Sequence, residues 1–522
     1  MDTNKDIEEL TPAERWIIAV TVMFGAFMAV MDISVVNVSM PFMMGTFGED
    51  LSAITWVATS YSIAEIIMVT MTGWWSALIG RKRLFLASYA LFTLGSILCG
   101  TSTTFTQMII YRVIQGIGGG ALIPLSQAIL RETFPEEQQS MAMAMYGMGV
   151  VLAPAVGPIL GGWLTDSYGW EWIFYINVPV CALGMALAIR YIHDPAYLRR
   201  GVKSIDWQGI ALLTLCLTAM QIVLERGQEK NWFESDQIIV GTAIAVVSLL
   251  VLIIWELRVQ EPVVNLRVLK DRNLSLGSFI GLLFGIALFG TTFILPQFTQ
   301  QLLGYPALQA GLVLAPRGLT LLMFMPIAGW LFNRLGFRTL ILLGLGIITW
   351  SYYDLMQLNL NAGFWNLVPS LLIMGAGMPF VFVPLSTVSL STVDRSNMTD
   401  ASGIFTLTRR IGGNIGYAMA ATLVSHGEQM HRFHMASHVS NLSQITQSYM
   451  DTATAMVHQL GVSATAAPTV ALGLMNRLLN RQAIMMSYND TSLYFGLLFI
   501  VMAPIVFLLP DQSGWLKRLR RR

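Results

Sequence analysis

The chain has 522 residues, of which 55% are hydrophobic and 12% charged, with a net charge of +1 and a mean hydropathy of +0.61. This composition leaves too little polar surface to cover a soluble globule of this size, which excludes a soluble globular protein. It indicates a protein that crosses a membrane many times. The three cysteines all lie in apolar stretches, so we expect free thiols and neither a disulfide framework nor a metal site.

Apolar segments of roughly 20 residues, long enough to cross about 30 Å of hydrocarbon, occur about fourteen times. In chain order they are predicted at 16–41, 53–78, 84–102, 105–130, 140–164, 170–191, 207–224, 237–257, 274–297, 308–332, 339–357, 364–392, 399–425 and 491–510. With both termini in the cytoplasm, arginine and lysine concentrate on the inner side, and the short outer loops carry only Arg226 and Lys230. This bias predicts an even number of spans, in agreement with the basic tail at 517–522.

The first span carries Asp32 in the middle of an uncharged stretch from Trp16 to Gly48. A carboxylate in hydrocarbon is costly unless it is paired, hydrated or protonated, which points to ion or proton movement. Arg112, predicted at a similar depth in the fourth span, cannot lose its proton and needs a partner. We therefore predict that Asp32 pairs with Arg112 and that its protonation shifts a conformational equilibrium. The alternative is a permanent salt bridge that fixes helix packing.

Glu65 is a second acidic residue predicted at mid-depth, in the second span. Three hypotheses stay open for it: a second proton carrier, a counter-charge for cationic substrates, or an acid that faces water without a role. Gln115, Phe289 and Phe293 are candidate substrate contacts because of their predicted depth in spans four and nine. In the second half, three arginines are also predicted within spans: Arg317, Arg409 and Arg410.

Short sequence repeats predict two duplicated halves. Residues 73–82 close the second span and residues 329–338 close the tenth with a similar pattern, and Pro-Leu-Ser occurs at both 124–126 and 384–386. Two matches at nearly one offset indicate halves in the same membrane orientation around a central cavity. The predicted domains are a six-helix bundle at 1–191, two additional helices with linkers at 192–272, and a second six-helix bundle at 273–522, which includes an extracytoplasmic loop at 426–490.

The fifth span is rich in glycine and proline. Gly157, Gly161 and Gly162 predict a flat face that a neighbouring helix can approach closely. Pro154 and Pro158 remove backbone donors and bend the helix. The span is expected either to act in gating or to show ordinary packing of small residues.

Several motifs occur in a fixed order along nearly the whole chain: MDISVVNVSMP at 31–41, RVIQGIGGG at 112–120, APAVGPILGG at 153–162, WEWIFYINVP at 170–179, QIVLERGQEKNWF at 221–233 and LPQFTQQLLGY at 295–305. In this order and spacing the chain resembles the major facilitator superfamily, specifically the fourteen-span drug:proton antiporters of the EmrB/QacA type and most closely the EmrB branch. The resemblance implies an all-α fold of two pseudo-symmetric six-helix bundles plus two helices.

The same resemblance implies a proton-coupled exporter of hydrophobic or cationic compounds that works by alternating access in a bacterial inner membrane. An exporter of one metabolite or fatty acid is the alternative within transport, and an intramembrane enzyme is the alternative from another class. The sequence contains no Walker-type phosphate loop, zinc helix pair or nucleophile elbow, so neither ATP-driven transport nor catalysis, and no cofactor or nucleic-acid partner, is expected.

One motif departs from the family pattern. The resembling transporters carry an aspartate between the two glycines of the loop after the second span, and this chain has Ala77 between Gly73 and Gly80. A charge relay through that aspartate is therefore not expected. Arg81 and the two basic residues after it are predicted to anchor the loop on lipid phosphates or helix C-termini.

The segment 426–490 is the one long polar stretch, and the span count places it outside. Three of its histidines share a predicted helical face, but no Cys, Asp or Glu completes a cluster, so no metal site is predicted. Resemblance to the EmrB branch implies that the segment docks to a periplasmic adaptor of the EmrA type, which joins an outer-membrane channel of the TolC type. A Gram-positive relative would carry a similar segment with no adaptor.

Overall fold

The structure, a computed structural model, describes residues 10–194, 205–440 and 443–510, and within these ranges all regular structure is helical. The α-helices are, in chain order, α1 (Pro12–Phe47), α2 (Leu51–Ile54), α3 (Trp56–Ile79), α4 (Arg81–Gly100), α5 (Phe105–Thr133), α6 (Gln139–Tyr168), α7 (Trp172–Tyr175), α8 (Asn177–Tyr191), α9 (Trp207–Arg226), α10 (Asp236–Arg258), α11 (Arg272–Gln301), α12 (Ala307–Leu312), α13 (Ala315–Leu335), α14 (Phe337–Leu355), α15 (Phe364–Ser389), α16 (Met398–His438), α17 (Gln444–Gln459) and α18 (Ala467–Leu508).

Eleven helical stretches among the described residues are long and apolar enough to cross a membrane. A twelfth is added if the two parts of the fifth predicted span, Glu136–Pro154 and Val156–Tyr168, bent by 44°, count as one. α14 and α16 are also long, but both carry charged residues within their length. An all-α, multi-pass membrane protein is therefore confirmed, and the exact number of fourteen spans stays a prediction.

The first helix shows how the sequence sets a boundary. Thr11 caps α1 through the backbone N–H of Glu14, the Glu14 side chain accepts from the backbone N–H of Thr11, and Pro12 occupies the first turn. The helix ends at Gly48, whose φ of 68° suits glycine. Its 36 residues make it about 54 Å long, longer than the hydrocarbon core of a bilayer.

The long helices pack in two groups. In the first, α1 packs on α5, α6 and α8, α3 packs on α5, and α4 packs on α5 and α8. In the second, α11 packs on α16 and α18, α13 on α15, and α14 on α15 and α18. We call these groups the N-bundle and the C-bundle. They meet where α3 contacts α16 and where α6 contacts α13, while α9 pairs with α10 and also touches α3 and α16. The predicted domain boundaries stay predictions, and residues 195–204 of the predicted linker lie outside the described residues.

Hydrogen bonds join the two bundles at the inner end, defined here as the end where α1 begins. Ser140 Oγ of α6 donates to the carbonyl of Gly329 at 2.9 Å, and Asn333 Nδ2 donates to the carbonyl of Glu137 at 2.9 Å. Further bonds between the bundles join Ser402 to the carbonyl of Pro124 and Thr406 to Gln127. These contacts close the space between the bundles toward the inner end.

The described residues of the predicted extracytoplasmic loop at 426–490 are largely helical, and the position of this segment outside the membrane stays a prediction. α16 continues to His438, α17 covers 444–459, and α18 starts at Ala467, far before the apolar part of its span. Hydropathy locates the membrane boundary, whereas backbone hydrogen bonds continue the helix beyond it. Ala453 and Val457 of α17 are buried, and α17 packs on α18, so the outer end carries a packed helical extension.

Candidate functional site

Asp32 of α1 and Arg112 of α5 form an ion pair inside the N-bundle, as their predicted depths suggested. Arg112 Nη1 donates to Asp32 Oδ2 at 2.5 Å, and both side chains are buried. The pair brings opposite charges together where neither is hydrated, so each stabilises the other. Its role in proton coupling stays a prediction.

A shell of polar side chains surrounds Asp32. Gln115 Nε2 donates to Asp32 Oδ1 at 2.7 Å, and Asn177 Nδ2 donates to the same oxygen at 3.1 Å. Ser96 Oγ accepts from both amides, at 3.3 and 2.8 Å. Gln115 also accepts from Arg112 Nη1 at 2.7 Å. The shell satisfies the hydrogen bonds of a buried carboxylate, which makes the ionised form of Asp32 tenable.

Gln115 is predicted as a substrate contact, and the structure places it beside the Asp32–Arg112 pair. Its side chain is fully buried and its amide is bonded to Asp32 and Arg112, so it belongs to the ion-pair site. Depth along a helix gave its level in the membrane but not the direction of its side chain. Asn177 was missed, although it stands in the motif at 170–179; an amide inside an apolar span is the signal that marks it.

The other face of Arg112 is held by α3. Arg112 Nε donates to the carbonyl of Val57 at 2.9 Å, and its guanidinium lies 4.3 Å from the ring centre of Tyr61. The glycines of α5 make this approach feasible, because a Cβ at Gly116 would lie 2.5 Å from the carbonyl oxygen of Tyr61. The glycine-rich motif thus places the α3 backbone against the arginine.

Glu65 forms an ion pair that joins the two bundles. Its Oε2 accepts from Nη2 of Arg410 on α16, and the Glu65 side chain is fully buried. Glu65 therefore does not face water in this structure, and its role stays a prediction. Its carboxylate is already neutralised by Arg410, so the structure gives no support to the counter-charge hypothesis. The partner was missed because a sequence does not reveal that α3 packs on α16.

A small cavity of about 20 Å³ lies between the bundles at this pair, about enough for one water molecule. Glu65, Phe289, Arg409 and Arg410 line it, together with Val30, Val69, Ile123, Val150 and Thr406. Residues of both bundles contribute, as expected for a central cavity between duplicated halves. Phe289 thus lies where a substrate contact was predicted.

Phe293 does not line the small cavity but lies close to it. The rings of Phe289 and Phe293 are each centred 5.8 Å from the ring of Tyr417 on α16, and Tyr417 is 36% exposed. The three rings form an aromatic cluster on the outer side of the Glu65–Arg410 pair. Tyr417 was not singled out from the sequence, because aromatic residues are common in membrane spans.

A larger apolar cleft of about 910 Å³ lies between α6, α13 and α15. Its walls include Val156, Ile159, Leu319, Leu322 and Phe364, all on the parts of these helices that lie toward the outer end. The volume lies within the usual range for small-molecule sites. The predicted contacts Gln115, Phe289 and Phe293 are not among its lining residues.

The loop after α3 contacts the opposite bundle. Gly73, near the end of α3, lies against the side chain of Asp400 on α16. A Cβ at position 73 would overlap that carboxylate. Gly80, with φ of 91°, makes the turn into α4. Arg81 is buried, pairs with Glu132 of α5 and donates to the carbonyl of Arg395 at 3.3 Å.

Arg81 contacts the Glu132 carboxylate and the C-bundle, and anchoring of this loop on lipid phosphates stays a prediction. Arg81 finds an acid because α5 ends beside the loop and brings Glu132 there. Lys82 contacts a helix C-terminus. Its Nζ donates to the carbonyl of Ile189 at 2.7 Å in the last turn of α8.

The glycines of α6 face α1. A Cβ at Gly157 would lie 2.5 Å from Cβ of Ser34, and one at Gly161 would lie 3.0 Å from the carbonyl oxygen of Val35. Gly162 has ample room, with its nearest neighbour at 3.9 Å.

Pro158 lacks the N–H that the carbonyl of Pro154 would accept, and Ser34 Oγ approaches that carbonyl at 3.5 Å instead. The close contact between α6 and α1 is the one that the glycines predict from the sequence. The gating role of α6 stays a prediction.

The family profile described as Major Facilitator Superfamily matches residues 22–417. The chain belongs to the Major Facilitator Superfamily. It is 33% identical to "Multidrug export protein EmrB" of Escherichia coli (strain K12), over 97% of each chain, and 32% identical to "Fatty acid resistance protein FarB" of Neisseria gonorrhoeae, over 94% of this chain and 95% of that one. These identities place it in the EmrB branch, which confirms the predicted family and makes the protein a transporter.

The fold of a solved structure agrees with this membership. The human organic anion transporter MFSD10 superposes with a TM-score of 0.59 at 15% identity, over 94% of this chain and 100% of that one. At this identity the likeness concerns the fold, and it confirms the predicted major facilitator architecture.

Proposed function

We propose that this member of the superfamily is a proton-coupled multidrug exporter that works by alternating access between the N-bundle and the C-bundle. The observation that carries the proposal is the buried Asp32–Arg112 pair with its amide shell. A buried titratable carboxylate in a transporter is suited to take up and release a proton, and it is retained despite its cost in the membrane.

Protonation would act on helix packing. Ionised Asp32 binds α1 to α5 through Arg112 and to α8 through Asn177. A proton on Asp32 removes the negative charge and weakens both contacts, while Arg112 keeps the carbonyl of Val57. The proton thereby changes the relative stability of the conformations open to the two sides, which is what coupled transport requires.

The proposed orientation has both termini in the cytoplasm of a bacterium and the outer end facing away from it. The support is the excess of arginine and lysine in the inner segments. Arg199, Arg200, Lys203 and the tail at 517–522 contribute to that excess and lie outside the described residues. In this orientation the contacts Ser140–Gly329 and Asn333–Glu137 close the interior toward the cytoplasm. Hydrophobic compounds would leave past the aromatic cluster and the apolar cleft.

Expression in an efflux-deficient host is expected to raise resistance to several unrelated hydrophobic compounds. Dissipating the proton gradient should remove the effect, because coupling through Asp32 needs a proton gradient. The measurement is drug accumulation in cells with and without a protonophore. Resistance that survives collapse of the proton gradient would contradict proton coupling. Resistance to a single compound would favour the alternative of an exporter for one metabolite or fatty acid.

We further propose that the outer helical extension docks a periplasmic adaptor of the EmrA type, which joins a TolC-type channel. α17 and its C-cap residue Leu460 present an apolar stripe formed by Ile445, Tyr449, Met456 and Leu460, spaced by four and seven residues. Ile445 is 83% exposed and Leu460 is 77% exposed, whereas the adjacent Ala453 and Val457 are buried against the extension. An apolar stripe outside the membrane suits a helical partner.

Ile445→Lys combined with Leu460→Lys is expected to abolish co-purification of the adaptor, because two charges would be buried in an apolar interface. Drug binding in detergent should stay within about twofold of wild type, since the substrate path lies in the membrane. Ser448→Lys on the exposed polar face of α17 is the matched control. Loss of drug binding in a folded double variant would instead place the extension in the substrate path. Unchanged co-purification would exclude the apolar stripe as the docking surface for the adaptor.

A further inference from the structure

The motif at 221–233 contributes no residue to the Asp32–Arg112 or the Glu65–Arg410 pair. It covers the end of α9 and the start of the loop to α10. α9 ends at the outer end of the molecule, where α3 begins, and it packs on both α3 and α16. The motif therefore lies where one segment touches the N-bundle and the C-bundle together.

Two hydrogen bonds join this segment to the C-bundle. Trp232 Nε1 donates to Thr422 Oγ1 of α16 at 2.9 Å. Two turns deeper on the same helix, Asn414 Nδ2 donates to Gln221 Oε1 at 2.5 Å, and Gln221 is buried. Such bonds between side chains hold well in apolar surroundings, because a buried donor without an acceptor is costly.

A second set of contacts joins the segment to the N-bundle. The guanidinium of Arg226 lies 5.0 Å from the ring centre of Trp56, the first residue of α3. Glu225 lies beside Thr59, one turn further along α3. Residues 221–233 thus connect the outer part of α3 to the outer part of α16, and we call them the outer clasp.

The attachment to α16 is built so that it can be broken and remade. Trp232 Nε1 also donates to Gln228 Oε1 at 3.2 Å, so the indole keeps an acceptor within the clasp if α16 moves away. Asn231 and Trp232 have φ angles of 54° and 52°, a left-handed conformation that costs free energy for residues other than glycine. Strain on the clasp side and a spare acceptor both lower the cost of release.

We infer that the outer clasp is a releasable strap, which holds α16 against α3 while the outer end is closed and parts from α16 when the bundles open outward. It stays on α3 through Arg226. The Glu65–Arg410 pair joins the same two helices at greater depth, so the clasp and the pair close one interface at two levels. The inference rests on the proposed alternating access and names a device that controls its outward opening.

Cross-linking tests whether the clasp has to release. The full-length variant Trp232→Cys/Thr422→Cys is linked by a short bismaleimide after folding; the three native cysteines are buried. Export of a hydrophobic compound from reconstituted vesicles should be measurable before linking and lost after it. The matched control is Gln228→Cys/Trp232→Cys, whose link lies wholly within the clasp and should leave export as it was before linking.

A labelling rate tests the clasp without any transported compound. Val69 lines the central cavity and is 1% exposed, so Val69→Cys should react with a membrane-impermeant maleimide added from the outer side only when the outer end opens. Adding Thr422→Val keeps the shape and removes the acceptor on α16. Labelling should become about fivefold faster, as for loss of one hydrogen bond that holds the closed state. Thr242→Val on α10, whose hydroxyl bonds only within its own helix, should leave the rate unchanged.

Full export by the linked Trp232→Cys/Thr422→Cys protein would overturn the inference, because α16 would then not need to leave the clasp. An unchanged labelling rate in Thr422→Val would overturn it as well. If no compound is exported even by the wild-type protein, the proposed function fails, and the labelling rates still decide whether the clasp holds the outer end closed.

Discussion

Asp32→Asn is expected to abolish proton-driven export while leaving the protein folded and inserted. Asparagine keeps the size of the side chain and can still accept from Gln115 or Asn177, so the shell around position 32 stays filled. What it removes is the group that titrates. Arg112 loses its counter-ion but keeps the carbonyls of Val57 and Gln115, which limits the loss of stability.

The measurement compares two modes of transport in reconstituted vesicles. Export against a substrate gradient, driven by an imposed pH gradient, should disappear in Asp32→Asn, whereas exchange of labelled for unlabelled substrate should persist. Asp166→Asn, an exposed acid at the outer end of α6, is the control and should behave as wild type. Arg112→Ala should also lose coupling. Wild-type resistance in cells that express Asp32→Asn would end the coupling proposal.

Breaking the Glu65–Arg410 pair is expected to have the largest effect on stability. Arg410→Gln leaves the fully buried Glu65 without its partner, which costs about 3–5 kcal/mol for a buried pair, and Glu65→Gln leaves Arg410, which is partly exposed, with a smaller loss. The double variant replaces both charges and should recover much of that loss. Thermal melting of the four proteins in one detergent forms a double-mutant cycle, and strictly additive shifts would show that the pair contributes no coupling.

The same variants separate the remaining hypotheses for Glu65. Because the pair joins α3 to α16, a structural latch between the bundles predicts that Glu65→Gln slows transport of every substrate alike. A counter-charge for cations predicts a selective loss of resistance to lipophilic cations. A second proton carrier predicts loss of gradient-driven transport of charged and neutral compounds together, with exchange retained.

The Asp32–Arg112 contact could be predicted because it needs little tertiary information. Both residues are the only charges in their apolar stretches, and the rise of a helix places them at one depth. A buried arginine must find an acceptor, so the nearest acid at that level was the natural partner. The motifs, in turn, fixed the family and hence the arrangement of two bundles.

The contacts that failed to follow from the sequence depend on which helices touch. Glu65 and Arg410 are 345 positions apart and meet only because α3 packs on α16. Gln115 lay at the predicted depth but its amide points to Asp32, since depth does not give direction around a helix. Polar composition at 426–490 predicts exposure to water but not the helices found there, because exposed helices can be polar on most of their surface.

Proton release upon substrate binding is the most direct test of proton coupling through Asp32. Purified protein in weakly buffered detergent solution is mixed with a saturating exported compound at a series of starting pH values while a pH indicator is followed. Release is expected from wild type and from Asp166→Asn, and none from Asp32→Asn although this variant still binds the compound. Equal release from Asp32→Asn would contradict coupling through Asp32 and assign it to another group.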